Sequence, residues 1–217
     1  MKIIETADGS STIYVEQFDQ TYHSIHGAVQ ESKHIYIDAG FGYCKKQTIK
    51  ILEIGFGTGL NALLTCLKSK ESNKISLYTA IELYPLKPEI YNNLNFLEST
   101  EFSIDIFHKI HNSKWNIEEK ITDNFFITKI SNDLLKLELT DKFDIIYFDA
   151  FSPEKQPELW TKSVFENLFF CLENGGILVT YCVKGIVKEA LRAAGFTVKR
   201  LPGPPGKHQI LRASKPI

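Results

Sequence analysis

The residues best suited to chemistry stand where apolar runs stop. Glu53 precedes three glycines at alternate positions, Gly55, Gly57 and Gly59, which interleave with Phe56 and Thr58 and lead into Asn61. Glycine lacks a Cβ, so it permits positive φ and lets a ligand approach the backbone closely. A helix starting just beyond such a turn offers free N–H groups and the positive end of its dipole. The dinucleotide fingerprint places its third glycine five residues after the first; here that position is Leu60, and Gly59 comes one residue earlier. A carboxylate at Glu53 is badly placed for a pyrophosphate and well placed for a cation.

Three more polar groups repeat the arrangement. Glu82 ends the apolar run at 75–81. It is able to accept both hydroxyls of a ribose, neutral donors meeting an ionised acceptor, or to serve as a carboxylate that favours a helix N-terminus. Asn132 and Asp133 follow the run at 125–130, and Asp133 also suits an N-cap for residues 134–137. Asp149 follows the run at 143–148 and opens Asp149-Ala150-Phe151-Ser152-Pro153. It is either a reacting group or the cap of the Ser152–Pro153 turn.

The elements that must carry these groups follow from the apolar pattern. Residues 49–54 read as a buried strand, and Leu60, Ala62, Leu63, Leu64 and Leu67 begin a helix. Strand, glycine turn and helix open a doubly wound α/β domain. Further strands are expected at 75–81, 125–130, 143–148, 176–181, 196–200 and 209–213, the last two antiparallel. Helices are expected from Pro85 to about Phe96, from Pro157 or Trp160 to Leu172, and over 183–194. Asn174-Gly175-Gly176 reads as the stop of the second of these, Gly195 as that of the third. Residues 99–124 read as an insertion, with an amphipathic helix through Ile104, Phe107 and Ile110–His111, then a strand at 115–121 and a hairpin turn. Residues 1–48 read as an extension holding a strand at 11–18, a loop and short helix at 22–32, a strand at 34–37 and a turn at Gly40-Phe41-Gly42. Residues 49–217 make the main domain. Ligands of open α/β sheets bind outside the carboxyl ends of the strands, so the four polar or glycine stretches are expected to form one site.

Composition bounds the partners. The chain has 217 residues, 43% hydrophobic and 24% charged, enough for a packed core. Its net charge of -1 gives no global attraction to nucleic acid, so an RNA contact has to come from a local patch. Cys44, Cys66, Cys171 and Cys182 are scattered without a C-x-x-C and read as reduced, mostly buried thiols of a cytoplasmic protein. His23, His26 and His34 lack a carboxylate or cysteine to complete a set, so no metal is expected. The first eleven residues are polar, unlike a signal peptide, and no apolar stretch reaches the length of a membrane span.

The pattern Glu53-x-Gly55-x-Gly57-x-Gly59 resembles the first cofactor-binding motif of the class I S-adenosylmethionine-dependent methyltransferases. In that family the acidic residue lies near the methionyl ammonium group, directly or through water, and an acidic residue in the position of Asp133 often accepts from the adenine amino group. The resemblance implies a seven-stranded, mostly parallel Rossmann-like sheet with an antiparallel C-terminal pair. The longer segments Gly55-Phe56-Gly57-Thr58-Gly59-Leu60-Asn61 and Asp149-Ala150-Phe151-Ser152-Pro153-x-Lys155-x-Pro157-Glu158-x-Trp160 resemble the methyltransferase half of the bifunctional tRNA 5-methylaminomethyl-2-thiouridine biosynthesis proteins and their stand-alone relatives. Tyr22-His23-Ser24, Gly27-Ala28, Glu31 and the 203–209 loop also look like that family. In its bifunctional members an FAD-dependent oxidoreductase domain follows, so the resemblance implies only the methylation step. That step moves a methyl group from S-adenosylmethionine to the aminomethyl nitrogen of a modified wobble uridine in tRNA. Asp149 matches the family's active-site aspartate; Gln156 stands where asparagine is usual. On this reading Tyr22, His23, Ser24 and Lys207 belong to the substrate side. Phe151 and Trp160 either stack on a flipped base or belong to the core. Lys184, Lys188, Arg192, Lys199, Arg200, Lys207 and His208 either touch phosphates or form a solvated face. A methyltransferase for a small-molecule or protein amine would share every cofactor residue. A non-enzymatic binding module would not need Asp149.

Overall fold

A computed structural model describes residues 1–96 and 104–217. The extension forms a small antiparallel sheet from β1 (Lys2–Glu5), β2 (Ser11–Val15) and β3 (Gln20–Thr21), with β2 in the middle, followed by the short helix α1 (Ala28–Ser32). The main sheet holds eight strands: β4 (Thr48–Ile54), β5 (Ile75–Glu82), β6 (Glu118–Thr122), β7 (Phe125–Ser131), β8 (Phe143–Phe148), β9 (Leu172–Thr180), β10 (Thr197–Pro202) and β11 (Gln209–Ser214). Their order is β10-β11-β9-β8-β4-β5-β7-β6. Seven of these are the strands of the doubly wound pattern. The eighth, β6, pairs antiparallel with β7 and extends the edge. The pair β10–β11 closes the other edge antiparallel, as expected.

The order of the strands makes the site. From β4 the chain lays down β5 and β7 on one side, then crosses back so that β8 pairs in parallel on β4's other side. Strand order therefore reverses beside β4, and the crevice outside the carboxyl ends of β4, β5 and β8 is the natural ligand position. Helices cover both faces, which is why all six residues of β8 are buried. The period of two sorts the side chains. Ile51, Ile145 and Tyr147 face a core shared with α2 (Leu60–Glu71) and the extension, whereas Leu52, Ile146 and Phe148 face one shared with α5 (Lys162–Cys171) and α6 (Gly185–Ala193).

Several local expectations change. The strand expected at 34–37 is a π-helix, Lys33–Asp38, continuous with α1. Ile35, Tyr36 and Ile37 are all buried, and three consecutive apolar residues do not distinguish a strand from a buried helical turn. Pro85 does not start a helix: the single turn α3 (Pro88–Tyr91) begins at Pro88, which takes the first helical position instead. Asn174-Gly175-Gly176 is not a helix stop. The helix α5 already ends at Cys171, and the three residues lie inside β9, where the register against β8 slips and Gly175 has φ +76. Trp115 sits ahead of β6 and forms an isolated bridge with Lys129. The expected amphipathic helix is α4 (Ile104–Asn112), which buries Phe107 and Ile110 and leaves Ile104 exposed. The first residues of the insertion, 99–103, lie outside the described residues.

Candidate active site

The three strands at the switch point are tied together at their ends. Gly55 N donates to Ile81 O at 3.0 Å, and Asp149 N donates to Ile54 O at 2.9 Å. Each glycine of the following turn makes room for a different element. A Cβ on Gly55 (φ +90) would lie 2.7 Å from the Asp149 carbonyl oxygen, one on Gly57 (φ +49) 2.9 Å from the Tyr22 ring, and one on Gly59 (φ +73) 2.9 Å from His111 Nε2. Glu82 fastens the turn from β5. Its Oε2 accepts from Gly57 N and its Oε1 from Tyr84 N, both at 2.9 Å. Each carboxylate oxygen has a second lone pair, so acceptor capacity remains for a ligand hydroxyl. Glu82→Ala removes both the turn's brace and that capacity. It is expected to weaken S-adenosylhomocysteine binding by about 1–3 kcal/mol in calorimetry, the range for hydrogen bonds to a charged group. An unchanged dissociation constant would remove Glu82 from the site.

Behind the turn three side chains share one amide. Asn61 Nδ2 donates to Glu53 Oε1 at 2.9 Å and to Asp149 Oδ2 at 2.8 Å. Glu53 is 0% exposed, and burial holds its carboxyl well above the ordinary range, with the Asp149 charge adding to the effect. Burial also raises Asp149, to about 6, against the lowering pull of Tyr36 and Asn61. Tyr36, presented by the π-helix, and Tyr78 on β5 couple in this way to Asp149 and Glu53, although neither hydroxyl closes a hydrogen bond of ordinary geometry. Glu53 Oε2 and Asn61 Oδ1 are likewise buried without a hydrogen-bond partner among the described residues.

Asn61 and Asp149 border a cavity of about 700 Å³ at the carboxyl ends of the strands. Gly55, Phe56, Gly57, Thr58, Asn61 and Glu82 line it, as do Asn132, Asp133, Asp149, Phe151, Tyr22 and His23. Five expected site residues do not. Glu53 stands behind Asn61, so it reaches a ligand only through that amide. Gly59 packs against His111 and the Phe56 ring. Ser24 N donates to Glu31 Oε2 at 2.7 Å. Trp160 is 4% exposed, donates Nε1 to Phe151 O at 2.8 Å and packs on Phe148 and Phe165, so of its two readings the structure gives the core aromatic. Lys207 turns inward, 2.5 Å from Glu31 Oε1 and over the Tyr181 ring at 4.3 Å.

The remaining lining residues are fixed by local bonds. Asp133 Oδ1 caps the short helical turn Leu134–Lys136 by accepting from Leu135 N at 3.0 Å, and Asn132 Oδ1 accepts from Asp133 N at 2.7 Å. His23 spans Thr12 Oγ1 at 3.2 Å and Thr58 Oγ1 at 3.3 Å, and burial lowers it to about 4, which keeps the ring neutral. Tyr22 and Phe18 flank the Phe151 ring at 5.0 and 4.9 Å. The loop after Asp149 is bolted from several sides. Phe151 N donates to Gln156 Oε1, Ser152 N to Gln20 Oε1, and Tyr181 Oη donates to Ala150 O. Gln20, Tyr36, Phe18 and His111 escape sequence reasoning because single polar or aromatic residues outside a motif carry no spacing. Tyr181 follows β9 directly and was open to the same strand-end rule that singles out Glu82 and Asp149.

The donors and acceptors suit an adenosyl sulfonium amino acid. Asn61 Oδ1 is an acceptor without a partner beside the cavity, Glu82 offers carboxylate lone pairs, and the glycine turn lies open along the lining. Among the described residues no group of three or more His, Cys, Asp or Glu side chains is gathered for a metal, and no helix is long and apolar enough to cross a membrane. A family of S-adenosyl-L-methionine-dependent methyltransferases matches residues 98–216. The tRNA 5-methylaminomethyl-2-thiouridine biosynthesis bifunctional protein MnmC of Leptospira interrogans is 33% identical over 216 residues, covering 92% of this chain and 33% of that protein. The protein of the same name from Campylobacter fetus is 33% identical over 215 residues, covering 93% of this chain and 34% of its own length. The chain thus spans about a third of the curated relatives it matches. Among solved structures, MNMC2 from Aquifex aeolicus superposes with a TM-score of 0.77 at 25% identity, covering 100% of this chain and 72% of that one. Spermidine synthase from Thermotoga maritima shares the fold, with a TM-score of 0.59 at 16% identity, over 100% of this chain and 73% of that one.

Proposed function

The chain belongs to the S-adenosyl-L-methionine-dependent methyltransferase family matched over residues 98–216, and from that premise we propose that it methylates the aminomethyl nitrogen of a modified wobble uridine in tRNA, in the cytoplasm. The observation that carries this reading is the position of Asp149. It follows β8 directly beside the glycine turn, shares the Asn61 amide, and opens onto the same cavity as Phe151 and Tyr22. The Leptospira interrogans and Campylobacter fetus relatives are named for the biosynthesis of the 5-methylaminomethyl group, which supports an amine acceptor on a nucleobase.

The sulfonium methyl of the bound donor is already activated, so the protein has mainly to align donor and acceptor. Glu82 would hold the ribose hydroxyls, Asn61 with Glu53 behind it would face the ammonium group, and Asn132 and Asp133 would take the adenine side. Asp149 accepts a hydrogen from the acceptor amine and aims its lone pair. With a pKa of about 6 it is ionised near neutral pH and is a stronger base than an ordinary aspartate. Phe151, Tyr22 and Phe18 supply the aromatic wall for an unstacked base. The extension, residues 1–48, contributes Tyr22 and His23 to the same cavity.

The test is transfer of labelled methyl to bulk tRNA lacking the modification, followed by nucleoside analysis. Label in 5-methylaminomethyluridine or its 2-thio form is the expected result; label in no tRNA nucleoside would reject the reading. Because the chain is nearly neutral, tRNA affinity should fall with salt with a modest slope set by few phosphates. Lys155 lines the cavity, and Lys184 pairs with the neighbouring Glu154. Charge reversal at either is expected to weaken tRNA binding in a filter assay. If both reversals and added salt leave turnover untouched, the acceptor is not RNA.

A further inference from the structure

We propose that His111 is a positioning residue for the methyl donor: by holding the carbonyl of Thr58 it fixes the peptide that joins Thr58 to Gly59 and so sets the shape of the glycine turn. The turn is reached here from α4, an element of the insertion that carries none of the motifs. His111 Nε2 lies 2.9 Å from Thr58 O. A carbonyl only accepts, so Nε2 carries the proton. Burial lowers the imidazole to about 4, so it stays neutral at working pH and keeps a single donor on that nitrogen.

The ring has little freedom to let go. It stacks on Tyr91 at 4.0 Å and is edged by Phe107 at 4.5 Å and Phe56 at 5.5 Å. Its own carbonyl accepts from the buried Lys129 Nζ at 2.6 Å, which anchors the end of α4 to β7. Lys129 in turn lies over the Trp115 ring at 4.8 Å.

The Thr58 carbonyl needs such a partner. It belongs to a residue only 1% exposed, and a buried carbonyl left unpaired is costly. The N–H of the same peptide, on Gly59, donates to Phe56 O at 2.8 Å, so the peptide is held at both ends and loss of the His111 donor leaves it held at one. Rotation would swing a carbonyl oxygen away from α4 and change the lining beside Asn61. His111 therefore holds the oxygen end of a peptide whose N–H end is held by Phe56. It touches neither donor nor acceptor, and its effect passes through the backbone.

The proposal rests on the glycine turn holding the donor. Gly57→Val tests that separately, and normal binding in that variant would overturn both. Calorimetry with S-adenosylhomocysteine compares the full-length protein with His111→Phe, which keeps the stacked ring and removes the donor, and with His111→Gln, which restores an N–H. Affinity is expected to fall roughly tenfold in the Phe variant and to recover most of the way in the Gln variant. The KM for S-adenosylmethionine should rise in parallel, with kcat at saturating donor nearly unchanged. Wild-type affinity in His111→Phe, or no recovery in His111→Gln, overturns the proposal. Should the Phe variant not fold, nitrogen NMR of the wild-type imidazole decides: a neutral ring protonated at Nε2 whose proton exchanges more slowly with S-adenosylhomocysteine bound supports it, and protonation at Nδ1 rejects it.

Discussion

Asp149→Ala is expected to lower turnover by about two to four orders of magnitude, the range for a positioned acid–base group, while S-adenosylhomocysteine affinity barely changes. Loss of the carboxylate removes one acceptor of the Asn61 amide, which Glu53 still holds, and the loop that follows is held by Gln20, Gln156 and Tyr181. Asp149→Asn separates two roles. It keeps an acceptor oxygen and loses the charge, so substantial residual turnover means that aiming the amine matters more than removing its proton. With Asp149 at about 6, kcat/KM should fall as pH drops through 6. The same elevation has the opposite sign for stability. Between the ordinary aspartate value and about 6 the native state binds more protons than the unfolded chain, so this carboxyl's contribution is full below the lower value and is lost as pH rises through 6. Buried Glu53 acts in the same direction. Asp149→Asn should therefore unfold at a higher temperature than wild type at pH 7, with the gap closing near pH 4. Unaltered turnover in the Ala variant, with unchanged thermal unfolding, would leave Asp149 as no more than the cap of its turn.

Gly57→Val is expected to abolish binding of S-adenosylhomocysteine. Three effects add. A β-branched residue at φ +49 is a genuine backbone outlier. Its Cβ would press on the Tyr22 ring at 2.9 Å, so the nearest neighbour it displaces is a wall of the cavity and not only open space above the turn. Any shift of residue 57 also breaks the bond from its N–H to Glu82. Thermal unfolding without ligand reports whether the fold survives, and calorimetry reports the site. Wild-type affinity in a folded Gly57→Val protein would move the donor site away from the turn.

Much of this architecture was open to sequence reading because its signals are local. Thr48–Ile54 and Leu60–Glu71 face each other across the three glycines, and Phe143–Phe148 is bounded by charges, so periodicity and punctuation agree there. The polar residues at strand ends were legible by the same logic, and Asp133 turned out to cap a helical turn as its type suggests. What stayed hidden depends on distant partners. Nothing local tells that Lys207 pairs with Glu31, that Trp160 is spent on the core, or that Asn61 stands between Glu53 and the cavity. The π-helix was hidden for another reason: Ile35-Tyr36-Ile37 is too short a run to have a period, and only its packing decides between a strand and a helical turn.

The three glycines bear on how the protein folds. Their turn is shaped by neighbours far along the chain. Thr58 meets His23 across 35 residues and His111 across 53, and Asn61 meets Asp149 across 88. Loop closure has to precede such contacts, so they form late and slowly. The glycine turn of the β4–α2 unit is therefore expected to reach its final shape only once the extension, α4 and β8 have docked. On that order, bound donor is expected to slow hydrogen exchange at the turn more than in the sheet.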